Sequence, residues 1–196
     1  MPRIIGLTGN IACGKTSVGR MLLDLGAKHY IDADAIVHQL YQKDLPLVQQ
    51  ISKTFGTEVL ASDGSINRRA LGAIVFQDAS ALAELERIVH PAVREALVDQ
   101  LKQVSVSSIV IIDAVKLLEG RSGTLCNSKW LVICSQEQQI ARLIERNQLS
   151  VDEASMRVQA QPDIASKLAL VDEVIDNSGS LVETQRQVAA AFDRFC

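Results

Sequence analysis

Several features that would define other protein classes are missing from the sequence. No apolar run approaches the roughly 20 residues that a membrane helix needs, and the first residues lead into a predicted strand rather than a signal peptide. The four cysteines have no C-x-x-C spacing, so neither a zinc site nor a disulfide framework is indicated. The net charge is −3 with both signs mixed along the chain, so no basic face indicates nucleic acid. We expect a cytoplasmic protein without a membrane or nucleic-acid partner.

Two nucleotide-binding signatures are absent as well. The G-x-G-x-x-G spacing of a dinucleotide-binding Rossmann loop does not occur. No Asn-Lys-x-Asp guanine motif follows the predicted fourth strand, which argues against a GTPase switch. The 196 residues, of which 47% are hydrophobic, predict one globular domain with insertions.

The opening of the chain carries a phosphate-binding motif, G-x-x-x-x-G-K-[ST]. Its two glycines allow successive backbone N–H groups to point at one anion. Lys15 is expected to reach the β- and γ-phosphates of a bound triphosphate, and the Thr16 hydroxyl to bind Mg²⁺. The predicted nucleotide-binding residues of this loop are Gly9, Ile11, Ala12, Cys13, Gly14, Lys15, Thr16 and Ser17.

The motif lies in the structural context that it requires. An apolar strand over residues 3–8 precedes it, and a helical apolar stripe that ends at Gly26 follows it. Further strands are predicted over 28–31, 108–113, 130–134 and 171–176, with helical patterns between them. This alternation predicts an α/β protein with the three-layer α/β/α P-loop kinase fold and about five parallel strands.

We interpret the chain as a single P-loop kinase domain with two helical additions. The core is expected to comprise 1–44, 105–134 and 171–196. A helical insertion of about 45–104 would bind the acceptor, and a lid of about 135–170 would close over ATP.

Local signals predict several helix ends. Asp44 and Asn67 are expected to cap helices, His90-Pro91 to break one, and residues 117–119 to form a short helix. Capping boxes are predicted at Ser135 with Gln138, Ser150 with Glu153, and Ser180 with Glu183.

Three carboxylates follow predicted strands at the edge where α/β sheets bind ligands. Asp34 is the candidate catalytic base, and Asp32 is expected to orient it or to reach Mg²⁺ through water, within the substrate site. Asp113 is a second candidate partner for metal-bound water. The alternative is that Asp32 and Asp34 only cap the helix that follows them.

Basic side chains provide candidates for binding anions. Arg142 and Arg146 lie one helical turn apart, so both could contact ATP phosphates, with Arg142 stabilising charge as the γ-phosphoryl group departs. Alternatively they form a solvated face paired with nearby glutamates. Arg157 and Lys167 could serve the same lid. Arg68 or Arg69 could meet an anionic acceptor; adjacent residues point to different sides of a helix, so at most one of them faces it squarely.

Two further residues have open interpretations. His90 could contact substrate or simply terminate a helix. Cys13 lies near a helix N-terminus that would lower the pKa of its thiol, so its oxidation could block ATP binding; the alternative is a small residue that the loop tolerates.

Motifs along nearly the whole chain resemble those of the dephospho-coenzyme A kinase family. They are Gly6–Ile11 with Gly14-Lys15, Asp32-Ala33-Asp34 with His38, Asn67–Leu71, Val75-Phe76, Leu85–Pro91, Arg142-Leu143, Arg146-Asn147, Ala154, Arg157, Gln161, Lys167 and Val174–Ser180. The resemblance implies ATP- and Mg²⁺-dependent phosphorylation of the ribose 3′-hydroxyl of dephospho-coenzyme A. It also implies Asp34 as base, the arginine helix as lid, the insertion as acceptor site, and Asn177 near the adenine.

The chain departs from this family at three positions. Ala12 stands where the family usually has a third loop glycine, Cys13 where it has serine or alanine, and Lys116 where it has proline. A kinase for nucleoside monophosphates or another small metabolite is the alternative enzyme. An inactive scaffold is expected to lack Lys15 or Asp34, and both are present.

Overall fold

The computed structural model describes all residues, Met1–Cys196. The strands are β1 (Arg3–Thr8), β2 (His29–Asp32), β3 (Ile109–Asp113), β4 (Ser128–Ile133) and β5 (Glu173–Asp176). The α-helices are α1 (Lys15–Asp24), α2 (Ala33–Leu40), α3 (Pro46–Phe55), α4 (Arg68–Val75), α5 (Ala79–Lys102), α6 (Gln136–Asn147), α7 (Val151–Gln159), α8 (Ala165–Leu168) and α9 (Leu181–Phe195). Short 3₁₀ helices cover Thr57–Val59 and Arg121–Leu125. No helix combines the length and apolar character needed to cross a membrane.

The strands form one five-stranded sheet in the order β2-β3-β1-β4-β5. Every pairing in it is parallel. The predicted α/β class with five parallel strands is therefore confirmed, although β2 and β4 begin and end one or two residues from the predicted bounds. Since parallel strands share their direction, the segments after β1, β2, β3 and β4 all leave the same edge of the sheet.

The chain divides into two compact units. The sheet unit comprises Met1–Asp32 and Val104–Cys196, and the helical unit comprises Ala33–Gln103. In the sheet unit, a buried cluster that includes Leu7, Val18 and Trp130 joins the sheet to α1 and α9. Trp130 is the one tryptophan of the chain; it is fully buried, and its indole N–H donates to the Ser128 hydroxyl at 2.9 Å. In the helical unit, α2, α3 and α4 pack against the long helix α5.

Local capping signals were largely confirmed. The Asn67 side chain accepts hydrogen bonds from the N–H groups of Arg69 and Ala70 at the start of α4. The boxes at Ser150 with Glu153 and at Ser180 with Glu183 form in both directions. Ser135 accepts from the backbone of Gln138, whose side chain instead donates to the Ser178 carbonyl at 2.7 Å, so this box is half formed.

Three local predictions were wrong, each because other contacts outweigh the local signal. Asp44 does not cap α3, because Leu45 precedes Pro46, whose ring suits the first helical position. His90-Pro91 does not break α5, which continues through Pro91 because apolar side chains on both sides of it stay buried on one face. Residues 117–119 form turns rather than a helix, since the Leu117 carbonyl accepts from the N–H of Gly123 at 3.1 Å.

Candidate active site

The phosphate loop joins β1 to α1 through backbone conformations that suit glycine. Gly9 has φ 151° and Gly14 has φ 99°. A Cβ atom on Gly14 would overlap the Asn177 amide nitrogen, and one on Gly9 would overlap the Val132 carbonyl oxygen. Ala12 has φ 57°, a left-handed conformation that disfavours alanine by about 1–2 kcal/mol. The family's usual glycine at this position thus has a conformational reason.

The first turn of α1 offers backbone donors to an anion. Gly14 is the N-cap of α1 and supplies no side-chain cap, so the N–H groups of the first turn lack side-chain partners. Their dipoles add to the positive end of the helix. This arrangement can bind a phosphate group.

A cavity of about 480 Å³ lies above this helix start. Its volume is in the range of small-molecule sites. The lining residues are Ala12, Gly14, Lys15, Thr16, Ser17, Arg142, Glu145 and Arg146. The structure therefore brings five of the eight predicted loop residues and both arginines of α6 around one space, whereas Gly9, Ile11 and Cys13 do not line it. The Lys15 ammonium group donates to the Gly9 carbonyl at 3.2 Å, so it lies across the loop.

Arg142 is held by backbone carbonyls rather than by glutamates. Its guanidinium group donates to the carbonyl of Ala12 at 3.2 Å and to that of Asn177 at 3.2 Å. Arg146 is exposed, and its Nε donates to the Asn147 side chain at 3.0 Å. Arg142 thus links three segments at the cavity wall, whereas Arg146 is tied only to its neighbour.

Asn177 lies just after β5 and joins that strand end to the phosphate loop. It is only 3% exposed. Its side-chain amide donates to the Cys13 carbonyl at 2.9 Å and accepts from the Thr184 hydroxyl at 3.0 Å. These two buried hydrogen bonds connect the phosphate loop to the end of β5 and to α9. The sequence pattern did not predict this supporting role for Asn177.

Cys13 and Lys167 have surroundings that differ from the expected ones. Cys13 is fully buried, and burial raises the pKa of its thiol, opposite to the direction that its place near a helix start suggested. Lys167 is also buried, and its ammonium group lies 3.4 Å from the Glu119 carboxylate rather than on the cavity wall. Arg157 is exposed on α7.

Tyr30 is a site residue that sequence reasoning missed. Its hydroxyl donates to an Asp113 carboxylate oxygen at 2.5 Å. Burial and the hydrogen bond to Asp113 raise the pKa of Tyr30. A glycine at position 19, inside α1, was the available signal, because it leaves room for a large neighbour.

The remaining predicted residues lie on several elements. Asp32 ends β2 in register with Asp113 of β3. In the helical unit, Asp34 is exposed in the first turn of α2, Arg68 is exposed at the start of α4, and His90 is half-buried in the middle of α5.

The loop residues suit a magnesium ion that is bound mainly by a nucleotide, rather than one held by protein side chains alone. No group of three or more His, Cys, Asp or Glu side chains could hold a metal ion. Mg²⁺ needs only one or two protein oxygens when phosphates and water complete its shell. The Thr16 hydroxyl on the cavity wall has the oxygen chemistry that Mg²⁺ prefers.

The fold and the site together define a phosphotransferase of the P-loop kinase class. A central parallel strand leads into the phosphate loop, and arginines from a neighbouring helix flank the same cavity. The family model described as dephospho-CoA kinase matches residues 3–183. The chain belongs to the dephospho-CoA kinase family.

The chain is similar to individual proteins over nearly its full length. A dephospho-CoA kinase of Symbiobacterium thermophilum is 44% identical over 99% of this chain and 82% of its own length. The crystal structure of TT1252 from Thermus thermophilus is 30% identical with a TM-score of 0.82, covering 98% of this chain and 97% of that one. A dephospho-CoA kinase structure from Campylobacter jejuni shares the fold at 24% identity and a TM-score of 0.59, over 99% and 97% of the two chains.

Proposed function

We propose that the chain catalyses the final step of coenzyme A biosynthesis. It transfers the γ-phosphoryl group of ATP to the ribose 3′-hydroxyl of dephospho-CoA, giving coenzyme A and ADP. The observation that carries this proposal is the cavity in which the loop, Lys15 and Arg142 converge, in a chain of the dephospho-CoA kinase family.

The nucleotide site is proposed at the loop. Backbone N–H groups between Gly9 and Ser17 surround the phosphates, and Lys15 adds a positive charge at the β- and γ-phosphates. Arg142 and Arg146, in a lid of about 135–170, face the same space and would stabilise negative charge on the departing γ-phosphoryl group. Asn177 keeps the loop in place and lies near the adenine.

The acceptor is proposed to bind through the insertion of about 45–104. Asp34 accepts the proton of the ribose 3′-hydroxyl as that oxygen bonds to phosphorus, and ADP leaves with the electron pair of the broken P–O bond. Asp32, Arg68 and His90 are proposed to position the acceptor, Arg68 by pairing with its phosphate groups.

Mg²⁺ is the proposed metal, held by Thr16 and by oxygens of ATP, and it would neutralise charge on the phosphates. The cytoplasm is the proposed place of action, since all four cysteines are free thiols.

A coupled assay of ADP release tests the reaction. Purified protein is given ATP and Mg²⁺ with dephospho-CoA, and in parallel with nucleoside monophosphates and shikimate. We expect turnover with dephospho-CoA and formation of coenzyme A, confirmed by mass spectrometry. Faster turnover with a nucleoside monophosphate would contradict the proposal, as would ATP hydrolysis without any phosphorylated acceptor.

A further inference from the structure

The first half of the phosphate loop is bound by a segment outside the nucleotide cavity. The backbone N–H of Ile11 donates to the side-chain oxygen Oε1 of Gln161 at 3.2 Å. One residue earlier, the Asn10 side-chain amide donates to the carbonyl oxygen of Pro162 at 3.1 Å. Neither Asn10 nor Ile11 lines the nucleotide cavity, whereas Asn10, Gln161 and Pro162 line a separate cavity of about 320 Å³. The N–H of Ile11 therefore serves to attach the loop to this segment.

Apolar contacts join the same part of the loop to the helices α6 and α7. Val158 of α7 belongs to a small buried cluster, and Ile11 and Ala12 pack against that cluster. Gln161 comes two residues after the end of α7, and its own N–H donates to the Val158 carbonyl at 3.2 Å. The following residue, Pro162, restricts the backbone of Gln161 further. The Gln161 side chain therefore starts from a well-defined position.

Ala12 is the residue of the loop whose backbone conformation is strained. Its φ of 57° lies in the left-handed region, which a Cβ atom disfavours. Such conformations persist where the surrounding structure over-determines them. Here the backbone is held one residue earlier, where Ile11 binds Gln161, and at the Ala12 carbonyl, which accepts from Arg142 at 3.2 Å. Contacts on both sides of Ala12 thus oppose its return to an ordinary conformation.

We propose that Gln161 is a positioning residue for the nucleotide, acting through Ile11 of the phosphate loop. The inference rests on the proposed function, which places ATP at this loop. By binding the Ile11 N–H, Gln161 keeps Ala12 in the conformation that directs the later N–H groups of the loop to the phosphates. If the loop left this conformation, the apparent affinity for ATP would fall with the fraction of molecules that still hold it. Because alanine stands where the family usually has glycine, the loop of this chain depends on that contact.

Calorimetric titration of ATP in the presence of Mg²⁺ tests the inference without relying on activity. Gln161→Met keeps the length of the side chain and removes the acceptor oxygen. We expect the affinity for ATP to fall about tenfold, the effect of leaving one backbone donor unpaired. Gln159→Met is the matched control, because Gln159 is an exposed glutamine at the end of α7. Its affinity should stay within about twofold of wild type.

Ala12→Gly separates positioning of the loop from a general structural role. Glycine adopts a positive φ without strain, so the loop keeps its conformation with less support. In this background, Gln161→Met should lower the affinity for ATP only about twofold. A residue that merely stabilised the fold would lower the affinity by the same factor with alanine and with glycine at position 12.

Asn10→Ala removes the neighbouring hydrogen bond to Pro162 and provides a second test. It should also lower the affinity for ATP, and again by a smaller factor in the Ala12→Gly background. Should Gln161→Met fail to fold in a thermal melt, the Asn10→Ala pair of measurements decides alone. An affinity of Gln161→Met within twofold of wild type, or equal losses in the two backgrounds, would overturn the inference.

The proposed function and this inference fail differently. If wild type does not bind ATP, or does not phosphorylate dephospho-CoA, the proposed function is wrong. If wild type does both and Gln161→Met binds ATP as tightly as wild type, only the role of Gln161 is wrong.

Discussion

The two units differ in how far their polar side chains reach along the sequence. In the sheet unit, Asn177 binds Cys13, 164 residues away, and Arg142 binds Ala12, 130 residues away. In the helical unit, Asn67 caps its own helix, and Asp78 does the same for α5. Glu84 pairs with Arg87 three residues later.

The long-range and the short-range hydrogen bonds have different structural roles. Long-range bonds hold the nucleotide cavity in one arrangement before a ligand arrives, as preorganised sites require. Short-range bonds stabilise individual helices, and Arg68, which we propose to contact the acceptor, is exposed. We therefore expect substitutions in the sheet unit to affect nucleotide binding and stability, and those in the helical unit to affect acceptor use.

The largest effect is expected for Lys15→Ala. Removing a charge aimed at the transferred phosphate should lower kcat/KM about 10³-fold and weaken ATP binding as well. Steady-state kinetics and ATP titration measure the two effects. Lys28→Ala, an exposed lysine of the same unit outside the cavity, is the control. Retained ATP affinity in Lys15→Ala would contradict the proposed nucleotide site.

Asp34→Asn should lower kcat roughly 10²-fold or more and leave ATP affinity nearly intact, because we propose that the lost carboxylate acts on the acceptor proton. Single-turnover kinetics and ATP titration separate the two quantities. Unchanged turnover would remove Asp34 from the mechanism. A matching loss of ATP affinity would show that the helical unit also contributes to nucleotide binding. The expected division of roles between the two units would then be wrong.

Asn177→Ala should lower the free energy of unfolding by about 2–3 kcal/mol, since it leaves buried partners at Cys13 and Thr184 unsatisfied. Urea denaturation measures this loss. ATP affinity should fall too, because the loop loses its support. Thr184→Val removes only one of these bonds and should lose about 1 kcal/mol. A stable Asn177→Ala protein with weak ATP binding would instead indicate direct contact with the nucleotide.

Arg68→Ala should raise the KM for dephospho-CoA about tenfold with the KM for ATP unchanged, the effect of losing one charged contact. The neighbouring Arg69 points to another side of α4, so Arg69→Ala is the matched control. Equal effects of the two variants would indicate a general loss of positive charge rather than a specific contact.

The smallest effect is expected from thiol alkylation at neutral pH. Cys13 is buried and Cys196 is exposed, and the raised pKa of Cys13 further lowers its thiolate fraction. Mass spectrometry should find Cys13 alkylated about 10²-fold more slowly than Cys196, because reaction at Cys13 needs local opening. Rapid labelling of Cys13 that blocks ATP binding would restore the oxidation hypothesis.

Features set by neighbouring residues could be predicted from the sequence. The phosphate loop, the Asn67 cap and the box at Ser180 with Glu183 each depend on residues within a few positions of one another. The central strands β1, β3 and β4 were recognisable because central parallel strands are apolar on both faces. The class of protein followed from these local signals and their order along the chain.

Features set by distant residues could not be predicted. Pro91 is a local helix breaker, yet burial of the stripe on either side keeps α5 continuous. The raised pKa of Cys13 depends on packing against the rest of the core. Tyr30 meets Asp113 only because β2 and β3 are neighbours, and their distance along the sequence hides that contact.

Trp130 gives the chain a spectroscopic reporter confined to one unit. As the only indole, buried in β4 beside Leu7 of β1, it makes intrinsic fluorescence at long excitation wavelengths a signal of the sheet unit alone. Far-ultraviolet circular dichroism, by contrast, is dominated by helices from both units. Recording the two signals during one denaturant series reveals whether the units melt as one cooperative body or in succession, with no dye or engineered label.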